Sequence, residues 1–355
     1  MTNSVYIHIP FCNNICSYCD FCKFYYNQEW VDKYLDSLDN EINLNFKSEK
    51  LKTLYIGGGT PSSLNISELN KLFTIINKFN FYDEYEFTIE CNVEDITIKK
   101  LELLKKNRVN RLSIGVESFD KDNLKFLGRN YNADIISKIR LAKEYFENIN
   151  IDLIYALPNE SLKTLEKDLD IFLSLDLPHV SCYSLIIEEH TKISNIKEID
   201  EEFDYEMYKL ICDKLKKYNH YEVSNYALNG YESKHNLVYW NNEEYYGFGV
   251  SASGYENNIR YTNYKNITKY NEKIYNKYEE KLVKEDSIKY ELILKLRLNK
   301  GINIEDFNNK YKLNLLELYN IKDLIKENKL FLENNYLKVS KDYVYLLNEI
   351  LISFV

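Results

Sequence analysis

Glycine and proline are scarce in this chain, with ten and four among 355 residues. Such a composition excludes collagen-like and Pro/Gly-rich disordered classes. No apolar run approaches the ~20 residues that a membrane helix needs, so a transmembrane segment is not expected. The net charge is −9 and no dense basic stripe offsets it, which argues against nucleic acid as a partner. Seven cysteines is an odd count, and no secretory leader pattern opens the chain. A disulfide framework is therefore not expected, and a reducing, cytoplasmic setting is. No internal repeat or low-complexity linker interrupts the sequence.

What is present begins with cysteine. Cys12-Asn-Asn-Ile-Cys16-Ser-Tyr-Cys19 follows the first apolar run. Three thiolates at x3 and x2 spacing on one short loop can hold three irons of a 4Fe-4S cube and leave the fourth iron open to a small molecule. Structural zinc takes four ligands, mostly as two separated pairs. Cys22 offers a fourth thiol, so a closed four-cysteine site stays open at this point, although ferredoxin spacings differ from this one.

Six β-rich runs, at residues 5–9, 53–56, 86–91, 111–114, 151–155 and 180–184, alternate with helical patterns at 29–46, 67–78, 98–106, 133–146 and 162–175. In the first helix Val31, Leu35, Leu38 and Ile42 recur at helical spacing. Alternating strands and helices predict parallel βα units, and six fall short of a closed eight-fold barrel. The fold expected is α/β: an open, partial (βα)6 barrel over residues 1–220, followed over 221–355 by a smaller α+β, winged-helix-like domain. Within the latter, a charged helix is expected at 268–285 and a strand pair around 330–339.

The remaining chemistry falls near the ends of the predicted strands, where βα barrels carry their sites. With so little glycine, Gly57-Gly58-Gly59-Thr60-Pro61 after the second strand is not accidental. Glycine there lets backbone approach a ligand closely, and Thr60 can hydrogen-bond it. Glu90 and Glu117 close the third and fourth strands and can take amine or ribose hydroxyl groups. Arg129 can pair with a carboxylate. Asp152 lies on the fifth strand. His8 is expected to pack structurally near the cysteine loop.

These segments resemble the radical SAM superfamily, and within it the oxygen-independent coproporphyrinogen oxidase-like branch, closest to its heme-chaperone members. The resemblance rests on Tyr6-Ile-His-Ile-Pro-Phe-Cys12 with Cys16 and Cys19-Asp-Phe, on Gly57–Ser62, Glu90-Cys-Asn92, Asn110-Arg-Leu-Ser-Ile-Gly-Val116, Leu127-Gly-Arg129 and Ile151-Asp-Leu-Ile-Tyr-Ala-Leu-Pro158. It continues through 221–227, His235-Asn-Leu-Val-Tyr-Trp240 and Leu296-Arg-Leu-Asn-Lys-Gly301.

The resemblance implies a 4Fe-4S cluster on Cys12, Cys16 and Cys19. It implies S-adenosylmethionine against Tyr6, Gly58, Gly59, Thr60, Glu90, Glu117, Arg129 and Asp152. It places heme at His235, with Tyr239 and Trp240 as an aromatic wall. The partners implied are heme or a porphyrin, heme-accepting apoproteins, an unnamed electron donor and a second copy of the chain. The activity implied is heme binding and transfer. Radical oxidative decarboxylation of coproporphyrinogen III to protoporphyrinogen IX is the alternative.

Three departures from the branch matter. Glu117 stands where glutamine is usual. Gly249-Val-Ser-Ala-Ser253 has serine where many relatives carry histidine. Cys22 lies three residues past Cys19, whereas the oxidases carry a cysteine two past it. The chain starts five residues before Tyr6, and the expectation is that it lacks the oxidases' longer N-terminal segment.

Overall fold

The computed structural model describes residues 2–354 apart from 130, 132 and 198. Its framework is a nine-stranded sheet. Six strands follow one another in chain order: β1 (Ser4–Ile9), β2 (Leu51–Gly58), β3 (Phe81–Asn92), β4 (Arg111–Glu117), β5 (Asn148–Tyr155) and β6 (His179–Ser184). All their pairings are parallel. The six expected strands are all present, most of them longer than the apolar runs alone indicated. The sheet is not closed, so the partial barrel is borne out.

Helices lie between the strands because their apolar stripes face the sheet. Gln28–Asn45 is capped by the Asn27 side chain, which accepts from the Trp30 N–H, and buries Val31, Leu35, Leu38 and Ile42. Ile66–Ile76 opens with a reciprocal capping box between Asn65 and Glu68.

The sheet and its core run past residue 220. Asn225–Ala227 pairs antiparallel with β6, and Tyr246–Phe248 pairs parallel with β1 at the opposite edge. Tyr226, Phe248, Ile267 and Tyr270 belong to the same core as Val5 and Ile56. A separate C-terminal core begins at Ile288 and includes Leu292, Phe307, Leu324 and Leu337. The chain beyond residue 220 thus supplies two more strands of this sheet, Asn225–Ala227 beside β6 and Tyr246–Phe248 at the edge beside β1.

The helix expected at 268–285 is a short helix, Ile267–Asn271, then a strand, Lys277–Lys281, then the helix Lys284–Lys295. Lys273 takes φ +63° just after the first helix. The charged residues that follow pair antiparallel with Ile259–Asn263 as an outer strand that is mostly exposed. The strand pair expected near 330–339 is present as Leu330–Glu333 and Tyr336–Val339.

Candidate cluster and cofactor site

The cysteine loop is fixed at several points. The Phe24 N–H donates to the Pro10 carbonyl and the Tyr26 N–H to the Cys12 carbonyl, at 2.6 and 2.9 Å. The Gly59 and Thr60 N–H groups donate to the carbonyls of Ile9 and Phe11, both at 2.9 Å. On the far side the Ser17 N–H reaches the Leu127 carbonyl at 2.9 Å, and Asn14 Nδ2 reaches that of Gly128 at 2.7 Å. His8 closes the frame. Its Nε2 donates to the Cys22 carbonyl at 2.8 Å while Nδ1 accepts from the Tyr6 hydroxyl at 2.9 Å. The structural role expected for His8 is what the geometry supplies.

Cys12, Cys16 and Cys19 line one cavity of about 210 Å³. Burial raises all three thiols, Cys12 to about 11, with neighbouring thiols adding to the rise at Cys12 and Cys19. Three thiols on one wall, one buried and two half-buried, are the donor set a cationic cluster would stabilise as thiolates. A Cβ on Gly59 would stand 2.9 Å from the Cys12 sulfur, so the glycine keeps that space clear. Among the described residues no three His, Cys, Asp or Glu side chains are gathered closely enough to hold one ion. A cube, which takes each thiolate at a different corner, fits this arrangement better. Cys22 is not on that wall. It lines a different cavity beside Tyr6, His8 and Lys265, so a closed four-cysteine site is not what the fold builds.

The same cavity is walled by Gly58, Gly59, Thr60, Glu90, Glu117, Arg129 and Asp152. Gly58 has φ +122°, and a Cβ there would meet the His8 ring at 2.7 Å. Glycine therefore sits where the strand must both turn left-handed and pass a side chain. Its N–H donates to Glu90 at 2.9 Å, and the Tyr55 hydroxyl donates to the same carboxyl at 2.8 Å. Burial nevertheless pushes Glu90 up to about 7. Asp152 accepts from Asn150 Nδ2 at 2.9 Å and is likewise raised by burial. Thr60 Oγ1 points at the Cys12 sulfur, 3.5 Å away.

Arg129 does not wait for a ligand to find a partner. Nη2 is paired with Glu117 and also reaches the Tyr18 hydroxyl at 3.2 Å. Nη1 donates to Asn92 at 2.8 Å and to Tyr131 at 3.1 Å. The pair holds the guanidinium charged. Burial raises the Glu117 carboxyl against the pull of Arg129. Glu117 also takes φ +67°, at an irregularity in the β4–β5 register.

Tyr6 is not brought to this cavity: it lines the one that holds Cys22. His235 is not brought to this cavity either. It is fully buried, with Nδ1 bonded to Thr53 Oγ1 at 2.8 Å, Nε2 bonded to the Tyr239 hydroxyl at 2.7 Å, and its ring stacked on Tyr55. The backbone N–H groups of Lys234 and His235 both donate to Glu86 at 3.0 Å. In this arrangement neither ring nitrogen is free for an iron. The motif's next residue, Asn236, lines a second cavity instead. Sequence inspection also passed over Arg111 on that wall. The signal was a cation inside a strand whose other residues are nearly all buried.

Fold and site together define a radical SAM protein. The Radical SAM superfamily model matches residues 6–172, and the HemN C-terminal domain model matches 282–342. Among solved structures, coproporphyrinogen III oxidase (HemN) from Escherichia coli superimposes with a TM-score of 0.86 at 22% identity, over 99% of this chain and 90% of that one. The cofactors of this class are a 4Fe-4S cluster and S-adenosylmethionine.

The chain belongs to the heme chaperone HemW family. It is 44% identical to the heme chaperone HemW of Lactococcus lactis, over 93% of this chain and 91% of that one. It is 40% identical to that of Bacillus subtilis, over 91% of each. No helix among the described residues is long and apolar enough to cross a membrane.

Proposed function

We propose that this protein is a cytoplasmic heme chaperone, which binds heme and passes it to apoproteins. The observation that carries the reading is the likeness to the Lactococcus and Bacillus chaperones at 40–44% identity across 91% or more of each chain. The likeness to coproporphyrinogen III oxidase, at 22% identity, concerns the fold.

Cys12, Cys16 and Cys19 would hold the cluster, with Thr60 beside the first sulfur. When bound, the cluster supplies an electron and one open coordination position. The turn at Gly58 and Gly59, with Glu90, Glu117, Arg129 and Asp152, would hold S-adenosylmethionine. Arg129 meets the cofactor's carboxylate while still shared with Glu117, and Glu90 and Asp152 offer acceptors to its amine and hydroxyl groups. Tyr6 acts through His8, which fixes the exit of the cysteine loop. The cofactor unit, expected over 1–220, extends to about residue 281 on the strength of the shared core, and the smaller unit follows it.

Heme titration of the full chain, after anaerobic reconstitution of the cluster, tests the reading. Saturation at one heme per chain is expected. No stoichiometric binding, with protoporphyrinogen formed from coproporphyrinogen under reducing conditions, would replace the chaperone by the oxidase.

A further inference from the structure

Beside the cluster cavity, across Glu90, Glu117 and Asp152, lies a second cavity of about 350 Å³. Arg111, at the start of β4, lines it. The residue is 2% exposed, yet no hydrogen bond or ion pair to its guanidinium is found among the described residues, and Nε is buried without a partner. A buried guanidinium without a hydrogen bond is costly, by several kcal/mol in order of magnitude, and the charge of Asp152 on the same wall offsets this only through space. Thr88 stands directly across from Arg111 in the β3–β4 register, and its buried hydroxyl also lacks a partner. Asn236 adds an amide to the same cavity wall.

Toward the mouth the character changes. Tyr18, Phe21, Ile154 and Ile186 form the wall there, with Phe21 65% and Ile186 68% exposed. The cavity therefore joins one guanidinium, facing the carboxyls of Glu90, Glu117 and Asp152 that burial raises, to an apolar lip. Arg129, which lines the first cavity, is already engaged by Glu117 and does not line the second.

We propose that Arg111 binds a carboxylate carried by a flat apolar ligand, namely a propionate of the tetrapyrrole whose body lies against the Phe21 and Ile186 lip. The inference rests on the heme-chaperone reading and adds to it a recognition element distinct from the cluster and from His235. S-adenosylmethionine carries the same carboxylate chemistry, so the test separates the two sources.

The full chain is titrated with iron protoporphyrin IX and with its dimethyl ester. Wild-type protein, Arg111→Gln and Arg111→Lys are compared, and S-adenosylmethionine binding is measured on the same samples. Wild type is expected to prefer the diacid by about tenfold or more, the span of one buried charge-assisted hydrogen-bonded pair. Arg111→Gln should erase that preference while leaving affinity for the ester and for S-adenosylmethionine unchanged. Arg111→Lys should retain part of it. Equal wild-type affinity for acid and ester overturns the inference whether or not either variant folds. An undiminished preference in Arg111→Gln does so too, as does a loss confined to S-adenosylmethionine. If wild type binds neither tetrapyrrole, the heme reading falls, and the inference with it. If it binds both equally, only the role of Arg111 falls.

Discussion

The Nε2 atom of His235 lies 2.7 Å from the hydroxyl of Tyr239, one helical turn further along Lys234–Trp240. With Nδ1 held by Thr53, the ring ties this helix to β2 inside the barrel. Burial keeps the imidazole neutral down to about 3. His235→Ala should therefore act on stability, by about 2–3 kcal/mol for two broken buried hydrogen bonds and a cavity. Chemical denaturation measures the loss. Heme stoichiometry in the folded fraction should be unchanged, and its disappearance there would restore a ligand role.

Glu117→Gln tests the pairing with Arg129. The variant keeps a side chain that can accept from the guanidinium but removes its countercharge. The freed charge then faces the cofactor alone. S-adenosylmethionine should bind a few-fold more tightly, while stability drops by about 1–3 kcal/mol as the buried pair is broken. Calorimetry on the reconstituted protein reads the first and thermal unfolding the second. Weaker cofactor binding would mean that the ligand needs the charge of the acid and not only a hydrogen-bonding side chain at this position.

Iron analysis separates the four neighbouring cysteines. Cys16→Ala should lose the cluster, whereas Cys22→Ser should retain about four irons per chain, the complement of one 4Fe-4S cube. Loss of iron in Cys22→Ser would move that thiol into the ligand set, contrary to its place in the separate cavity with Lys265.

Much of this was legible beforehand because the signals were local. The six barrel strands, the cysteine spacing and the glycine triplet each sit within a few residues, and the barrel topology brings them to one edge. His235 was not legible. Its partners Thr53, Glu86 and Tyr55 lie about 150 to 180 positions away, and no periodicity announces a polar well inside a barrel. Tyr246–Phe248 escaped for another reason: three residues are too few to show a strand period, and the sheet edge on β1 supplies what the sequence does not. The Lys277–Lys281 strand was hidden by charge, which reads as a solvated helix until its pairing partner is known.

Glu160 gives the fold a pH signature. Its carboxyl is buried against Asn123 and the Leu157 N–H, and burial pushes it from 4.5 up to about 8. Between those values the folded chain holds a proton that the unfolded chain has released. This group's contribution is thus full below 4.5 and is lost as pH rises toward 8. Glu160→Gln should match wild type near pH 5 and exceed it at pH 8, by on the order of 2 kcal/mol. Denaturant unfolding at the two values checks this, and a parallel pair of curves would refute it.

The central claim, that the chain carries heme for other proteins, is tested most directly by transfer. Full chain loaded with one equivalent of heme is mixed with a heme-free cytochrome apoprotein, and the two are separated at intervals. The account predicts that heme leaves this chain and appears on the acceptor faster than it dissociates into a scavenger added instead. Heme that reaches the acceptor no faster than it reaches the scavenger would contradict it.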